Sequence, residues 1–224
     1  MNAGVIGLVQ GDFRVVDSFS DAVVENGREL DRILDVERVF SLPSGDAAFE
    51  GRAAVERPAA RETTELDFGE IRVEETDATE TLVTEFVGVP GEFVVVGSGA
   101  VAFAFDLVGL DTDTAVERAS LDLDGFLAAR DDASTWKAGF RGGDGRAESG
   151  LLHGDDLLAD DDLSSFVRTA RLNQLGLEYD YDGRGLKMTA AASGYVEVYR
   201  PTDFDSAAFL EYLRAEVVPH LDRP

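Results

Sequence analysis

The apolar positions of this chain fall into short runs, and the densest series spans residues 82–108, LVTEFVGVPGEFVVVGSGAVAFAFDLV. One run ends at Val89, Pro90-Gly91 turns it, and residues 93–96 run back. Gly97-Ser98-Gly99 turns the chain again into a third run, residues 100–108. Short apolar runs bounded by Pro-Gly and Gly-x-Gly predict strands buried on both faces, here the middle of a sheet.

Upstream, residues 4–9 and 13–16, joined by Gln10-Gly11-Asp12, predict an opening hairpin. Ser20 then has the form of a helix N-cap, with Phe19 and Val24 at staple spacing. Val23, Leu30, Ile33, Leu34 and Phe40 continue a helical pattern that Asn26-Gly27 interrupts, so one helix or two short ones are expected. Phe49, Gly51, Ala53 and Val55 alternate as an edge strand that Pro58 closes. Leu66 and Phe68, then Ile71 and Val73, alternate with a slip at Gly69 that a bulge or tight turn explains.

Downstream, residues 115–121 read as a strand, and Asp122 caps a short helix with Leu121 and Phe126 at staple spacing. Residues 135–140 and 146–153 form a hairpin around GGDG, and Asp160 or Asp161 starts a helix burying Leu163, Phe166, Val167 and Ala170. Leu175, Leu177, Tyr179 and Tyr181 alternate, Asp182-Gly183 turns the chain, and residues 186–192 and 195–199 add two strands. A last helix starts after Asp205, buries Phe209, Tyr212, Leu213 and Val217, and ends at Pro219.

Hairpins outnumber strand–helix alternations. The expected class is therefore α+β, mainly antiparallel sheet built from hairpins and meanders, with about four helices packed against it. Residues 1–224 are read as one domain, with a cut into 1–131 and 132–224 as the alternative. The staple at Phe19/Val24, Leu121/Phe126 and Phe204/Phe209 hints at a duplicated strand-to-helix unit, but the unequal spacings argue against it.

Charge changes this picture more than composition does. Acidic residues outnumber basic ones 45 to 20, a formal charge of −25, and Asp and Glu are spread through periodic apolar segments. With 44% hydrophobic residues the chain is not of the disordered type. The balance resembles that of proteins from salt-in halophiles, haloarchaea above all. In molar salt, self-repulsion is screened to roughly 3 Å and carboxylates keep the surface hydrated. The same screening weakens the usual argument that an acidic protein avoids nucleic acid.

With no cysteine, disulfides, thiolate nucleophiles and Cys-ligated metals are excluded. The N-terminus lacks the pattern of a signal peptide, and residues 93–108 are too short and too interrupted to span a bilayer. A soluble, cytoplasmic protein is expected.

Three motifs bear on chemistry. Residues 93–102 fit a strand followed by G-x-G-x-x-A, the dinucleotide fingerprint. On that alternative, Gly97 and Gly99 would let backbone approach the pyrophosphate of NAD or FAD, with Glu117 or Asp122 about 20 residues on for the ribose. The next segment alternates small and large residues and reads as a strand, which favours a plain turn. His153, Asp155 and Asp156, followed by Asp160, Asp161 and Asp162, have the ligand types of a Mg²⁺ or Mn²⁺ site, but Asp-Asp pairs recur at Asp131-Asp132 and helix N-termini attract Asp. The second histidine, His220, is expected at a helix C-terminus, and no G-x-S-x-G motif occurs.

The remaining signal is aromatic. All five tyrosines lie late in the chain, Tyr179, Tyr181, Tyr195, Tyr199 and Tyr212, near Arg184, Lys187 and Arg200. Tyrosines at i and i+2 share a sheet face, and basic groups beside them make a stacking platform. Arg141 and Arg146 in the FRGGDGR loop extend it. The competing reading is cross-strand aromatic packing, with Trp136 in the core. The expectation is a non-catalytic binding protein whose contact surface is the face of Tyr179, Tyr181, Tyr195, Tyr199, Arg184, Arg200, Arg141 and Arg146. Its partner is a protein or a nucleic acid.

Overall fold

The computed structural model describes residues 1–14, 16–97, 101–142 and 148–222. Their strands are β1 (Ala3–Gln10), β2 (Phe19–Glu25), β3 (Arg28–Ser41), β4 (Ala47–Asp67), β5 (Glu70–Val89), β6 (Phe93–Val96), β7 (Ala115–Arg118) and β8 (Ser120–Leu121). They continue with β9 (Ser134–Arg141), β10 (Ser149–His153), β11 (Leu172–Tyr181), β12 (Arg184–Ala191), β13 (Tyr195–Arg200) and β14 (Leu221–Asp222). The helices are α1 (Val101–Thr112), α2 (Leu123–Ala128), α3 (Asp161–Thr169) and α4 (Ser206–Tyr212), the last prolonged by a π turn through Val217.

A large open antiparallel sheet runs in the order β10-β9-β11-β12-β13-β1-β6-β5-β4-β3-β2, with β7 beside β13 on the same edge of β1. The class is thus α+β with four helices. β1 joins the two halves, pairing β6 through Val5–Leu8 registers and β13 through Ala3, Gly4 and Val5.

The strand period of two assigns each half its own core. Phe93 and Val95 point to one face, where Ile6, Leu175, Leu177, Met188, Val196 and Val198 pack under Phe126 of α2 and Phe209, Leu210 and Tyr212 of α4. Val94 and Val96 point to the other, where Leu34, Phe49, Ala53 and Phe86 pack under Ala104, Phe105, Leu107 and Val108 of α1. α1 therefore covers one face of the sheet and α2 and α4 the other, and where they overlap, at β6 and residues 86–89 of β5, the strands are buried on both faces. Asp122, Asp160 and Asp205 cap α2, α3 and α4 by accepting from Gly125, Leu163 and Ala208 backbone N–H groups.

Several expectations are corrected. Residues 19–40 form no helix: β2 and β3 are a hairpin turning at Asn26 (φ 52°) and Gly27 (φ 77°), the dipeptide favoured in two-residue hairpin turns. Leu30 and Leu34 are four apart, a spacing that satisfies a strand face as well as a helix face, and only pairing with β4 decides between them. Ser20 is a strand residue and not a cap, which leaves the staple pattern at two sites and removes the support for duplication. Residues 13, 14 and 16 lie in no strand, although Phe13 and Val16 plug the second core, and residue 15 lies outside the described residues. The third run of the apolar series is α1 and not a strand. An almost wholly apolar segment has no period to read, and the surface of Phe86, Val94 and Val96 is what accepts it as a helix.

Pro58 does not close an edge strand. β4 pairs β3 on one side and β5 on the other and continues through Pro58, which faces Thr79. Pro is tolerated there because β3 pairing stops at Val55, so the missing N–H has no ladder partner to lose.

Candidate functional site

The expected tyrosine face divides in two. Tyr179 and Tyr181 sit on the covered face of β11: Tyr179 is buried, and its hydroxyl shares a 2.9 Å hydrogen bond with that of Tyr212, while Tyr181 meets the Tyr212 ring edge-on at 5.2 Å. Burial pushes both phenols above their ordinary pKa, and Tyr212 well above it. Beneath them, Arg130 lies inside the core. Its guanidinium donates to Phe126 O (2.8 Å), Glu216 O (2.9 Å) and Glu216 Oε2 (2.6 Å) and stacks 3.7 Å above the Phe126 ring. Nothing in the periodicity singles out Arg130, which follows a short helix and precedes the Asp131-Asp132 pair. Tyr212→Phe is expected to cost about 1–3 kcal/mol of unfolding free energy, since it strips a buried hydroxyl of its partner. A urea denaturation cycle with Tyr179→Phe checks this, and simple additivity of the two variants would show that the pair is uncoupled.

Tyr195 and Tyr199 lie on the opposite, open face. Both hydroxyls donate to Glu197 Oε2 at 3.0 Å, and burial together with that carboxylate pushes the Tyr195 phenol up to about 12. Trp136 belongs to this face and not to the core. It meets Tyr199 edge-on at 6.0 Å, lies 6.1 Å from His153, carries Lys187 Nζ 4.7 Å over its ring, and donates from Nε1 to Leu177 O. Lys187 and Arg200 both reach Glu178, at 3.3 and 3.9 Å. These two cations share one carboxylate, and Glu197 adds a second negative charge to the same face. Arg141 ends β9 in solvent, one strand in from the β10 edge of the sheet, and Arg146 lies outside the described residues.

Arg184 is at neither tyrosine pair's centre. It opens β12, pairs with Asp203, and lines a pocket of about 380 Å³ with Pro43, Tyr181, Leu186, Pro201 and Phe204. Asp182, Glu211, Ser44 and Ala208 complete the wall. Arg214 holds this wall in place, donating to Asp46 Oδ2 (2.7 Å), to Ser44 Oγ and to the Glu92 carboxylate, while Ser44 N donates to Glu211 Oε1.

Among the described residues, the alternation around Gly69 belongs to a long exposed ribbon. β4 and β5 pair without interruption from Phe49/Gly88 out to Asp67/Glu70. Arg28 of β3 makes the last contact with the sheet, donating to Ala78 O and pairing with Asp77. Beyond it the ribbon stands alone for roughly 30 Å, at about 3.3 Å per residue. Leu66 and Ile71 pair directly and share a face with Val73, and Phe68 stands at the turn. These side chains are 81%, 72%, 59% and 107% exposed.

Gly97 follows β6 and α1 comes next in the chain, the strand-then-helix order of the dinucleotide fingerprint, although Gly99 lies outside the described residues. The neighbours of β6 are both antiparallel, unlike the parallel sheet that fingerprint ordinarily serves. Asp156 is engaged by the Thr135 and Leu158 N–H groups, and among the described residues no group of three or more acidic or histidine side chains is arranged to hold a metal ion. No helix among them is long and apolar enough to cross a membrane.

The fold and its surfaces thus define an α+β sheet protein with a projecting ribbon, an open aromatic face and an apolar end pocket. No protein-family model matches the chain, and no curated protein matches it either.

Proposed function

We propose that this chain is a non-catalytic interaction protein that engages a protein partner through the β4–β5 arm. The open face of Trp136, Tyr195 and Tyr199 serves as a second contact surface. One observation carries the reading: Leu66, Ile71 and Val73 share one exposed face at the end of a free ribbon, with Phe68 fully exposed at its turn. A two-stranded ribbon is only marginally stable alone in water, and contiguous exposed apolar surface marks a place of contact. The charge of −25 supports a salt-rich cytoplasm as its setting, where hydrophobic contact outlasts charge steering. Residues 1–224 act as one unit in this reading, supported by the pairing of β1 with both β6 and β13.

The test is capture by the tagged full chain in molar KCl, with nuclease present throughout. A stoichiometric protein partner should be retained by the parent chain and lost by Leu66→Ser/Ile71→Ser, with circular dichroism unchanged. Equal retention by both chains removes the arm from the function. A partner lost on nuclease treatment replaces the protein reading with a nucleic-acid one.

A second reading, a nucleotide-cofactor enzyme using Gly97 and Gly99, is favoured by the succession of β6 and α1. It requires measurable affinity for NAD(H) or FAD that Gly97→Val abolishes, and titration of the purified chain with either cofactor decides it.

A further inference from the structure

We infer that the end pocket between α4 and the β11–β12 hairpin binds a small organic cation, an ammonium group carried on an apolar or aromatic body. The site goes beyond the interaction reading above and does not depend on the arm.

Its walls are apolar and already in place. Pro43, Leu186, Pro201, Tyr181 and Phe204 line about 380 Å³, within the roughly 300–1,000 Å³ that small-ligand sites occupy. A third ring holds the two aromatic walls: Tyr212, fully buried, meets Tyr181 at 5.2 Å and Phe204 at 6.0 Å, both edge-on. The Tyr212 hydroxyl is fixed in turn by that of Tyr179. Core packing thus sets the walls, and little side-chain freedom is lost when a ligand enters.

Charge selects the occupant. Asp182 and Glu211 line the same pocket, and among the described residues neither enters an ion pair. Glu211 Oε1 accepts from Ser44 N at 2.8 Å, a bond that leaves the carboxylate its full charge. The neighbouring acids Asp46 and Glu92 are taken up by Arg214, and Arg184 on the pocket wall is already paired with Asp203. The uncompensated charge therefore lies on Asp182 and Glu211. Burial, and next the charges of Glu216, Asp182 and Glu211, push the Tyr181 phenol up, so the field at that ring is negative. An ammonium satisfies both features at once, through the carboxylates and through the ring quadrupoles. An anion meets repulsion, and a neutral apolar ligand covers the carboxylates without pairing them.

Molar salt leaves this preference in place. Partly buried pairs are screened much less than exposed ones, and potassium buries no apolar surface on these walls.

The experiment is an NMR chemical-shift titration of the full chain in molar KCl with three probes of similar shape: phenethylammonium, phenethyl alcohol and hydrocinnamate. The ammonium should bind about tenfold more tightly than the alcohol, and hydrocinnamate most weakly. Asp182→Asn/Glu211→Gln removes both charges and keeps the local shape. Asn tolerates the positive φ at position 182 (52°), and a glutamine oxygen still accepts from Ser44 N. The formal charge moves only from −25 to −23, two carboxylates fewer. In this variant the ammonium should fall to the affinity of the alcohol, whose own binding stays unchanged. Ala208→Trp, which puts a large ring into the pocket, should exclude all three probes. Equal binding of ammonium and alcohol by the parent chain overturns the proposal, as does tightest binding of hydrocinnamate or no binding of any probe. Probe binding retained by Ala208→Trp overturns it too, by placing the site elsewhere. An ammonium preference that survives in the double variant belongs to the overall charge of the chain and not to this pocket. Leu66→Ser/Ile71→Ser should titrate like the parent, so loss of partner capture in that variant leaves the pocket standing. Failure of the probes to bind likewise leaves the arm reading standing.

Discussion

Glu216→Ala is expected to lower the unfolding free energy by about 3 kcal/mol, whereas Arg130→Met should change it by about 1 kcal/mol or less in either direction. The asymmetry follows from burial. The Arg130 side chain is 7% exposed and that of Glu216 is 31% exposed. Removing the carboxylate strands a charge in the core, for which about 3–5 kcal/mol is typical of buried pairs. The lower end applies because Arg130 keeps the Phe126 and Glu216 carbonyls and its cation–π contact. Removing the guanidinium instead lets Glu216 turn to water, relieves the unpartnered Arg130 Nε, and leaves a methionine to fill apolar space. Equilibrium urea denaturation of both variants tests the idea, and equal losses would show that Arg130 contributes packing and no charge-specific requirement.

Gly51→Ala should be more damaging still, by at least about 3 kcal/mol, at the upper end of the overpacking range. A Cβ at Gly51 would lie 2.0 Å from the carbonyl oxygen of Asp35 and 3.0 Å from the Phe86 ring. The obstacle is backbone, at the point where the β3–β4 register shifts between Val36 and Arg38, so no rotamer change relieves it. Gly185→Ala, where a Cβ meets open space, is the control and should stay within about 0.5 kcal/mol. A Gly51 variant with the parent's thermal midpoint would mean that the β3 bulge yields freely. The position matters beyond stability, because β3 and β4 together anchor the root of the arm.

The candidate surfaces depend on pairings that periodicity does not encode. Parity along β11 correctly puts Tyr179 with Tyr181, and along β13 Tyr195 with Tyr199. Whether the two pairs share a face is set by register through β12, including the shift between Lys187 and Met188, and by which face α4 covers. The side of Trp136 is open in the sequence for the same reason: an aromatic residue on a strand fits either face until the neighbouring strands are in place. The arm shows in the sequence only as an edge-strand alternation and a slip at Gly69, because its long pairing lies between residues that are polar and weakly patterned.

The amino-acid sequence by itself determined the antiparallel α+β class, the Asp caps of three helices and the acidic character of the whole chain. These are local properties, carried by turn dipeptides, cap residues and side-chain charge. Only the tertiary structure decided that residues 19–40 are a hairpin, that residues 101–112 are a helix, and that α1 covers one face of the sheet and α2 and α4 the other. The physical reason is that spacings of four residues and wholly apolar runs are compatible with both periods, and the free energy separating them comes from the partner surface. The arm's exposed tip and the distant pocket likewise exist only once the long β4 strand has put them at its two ends.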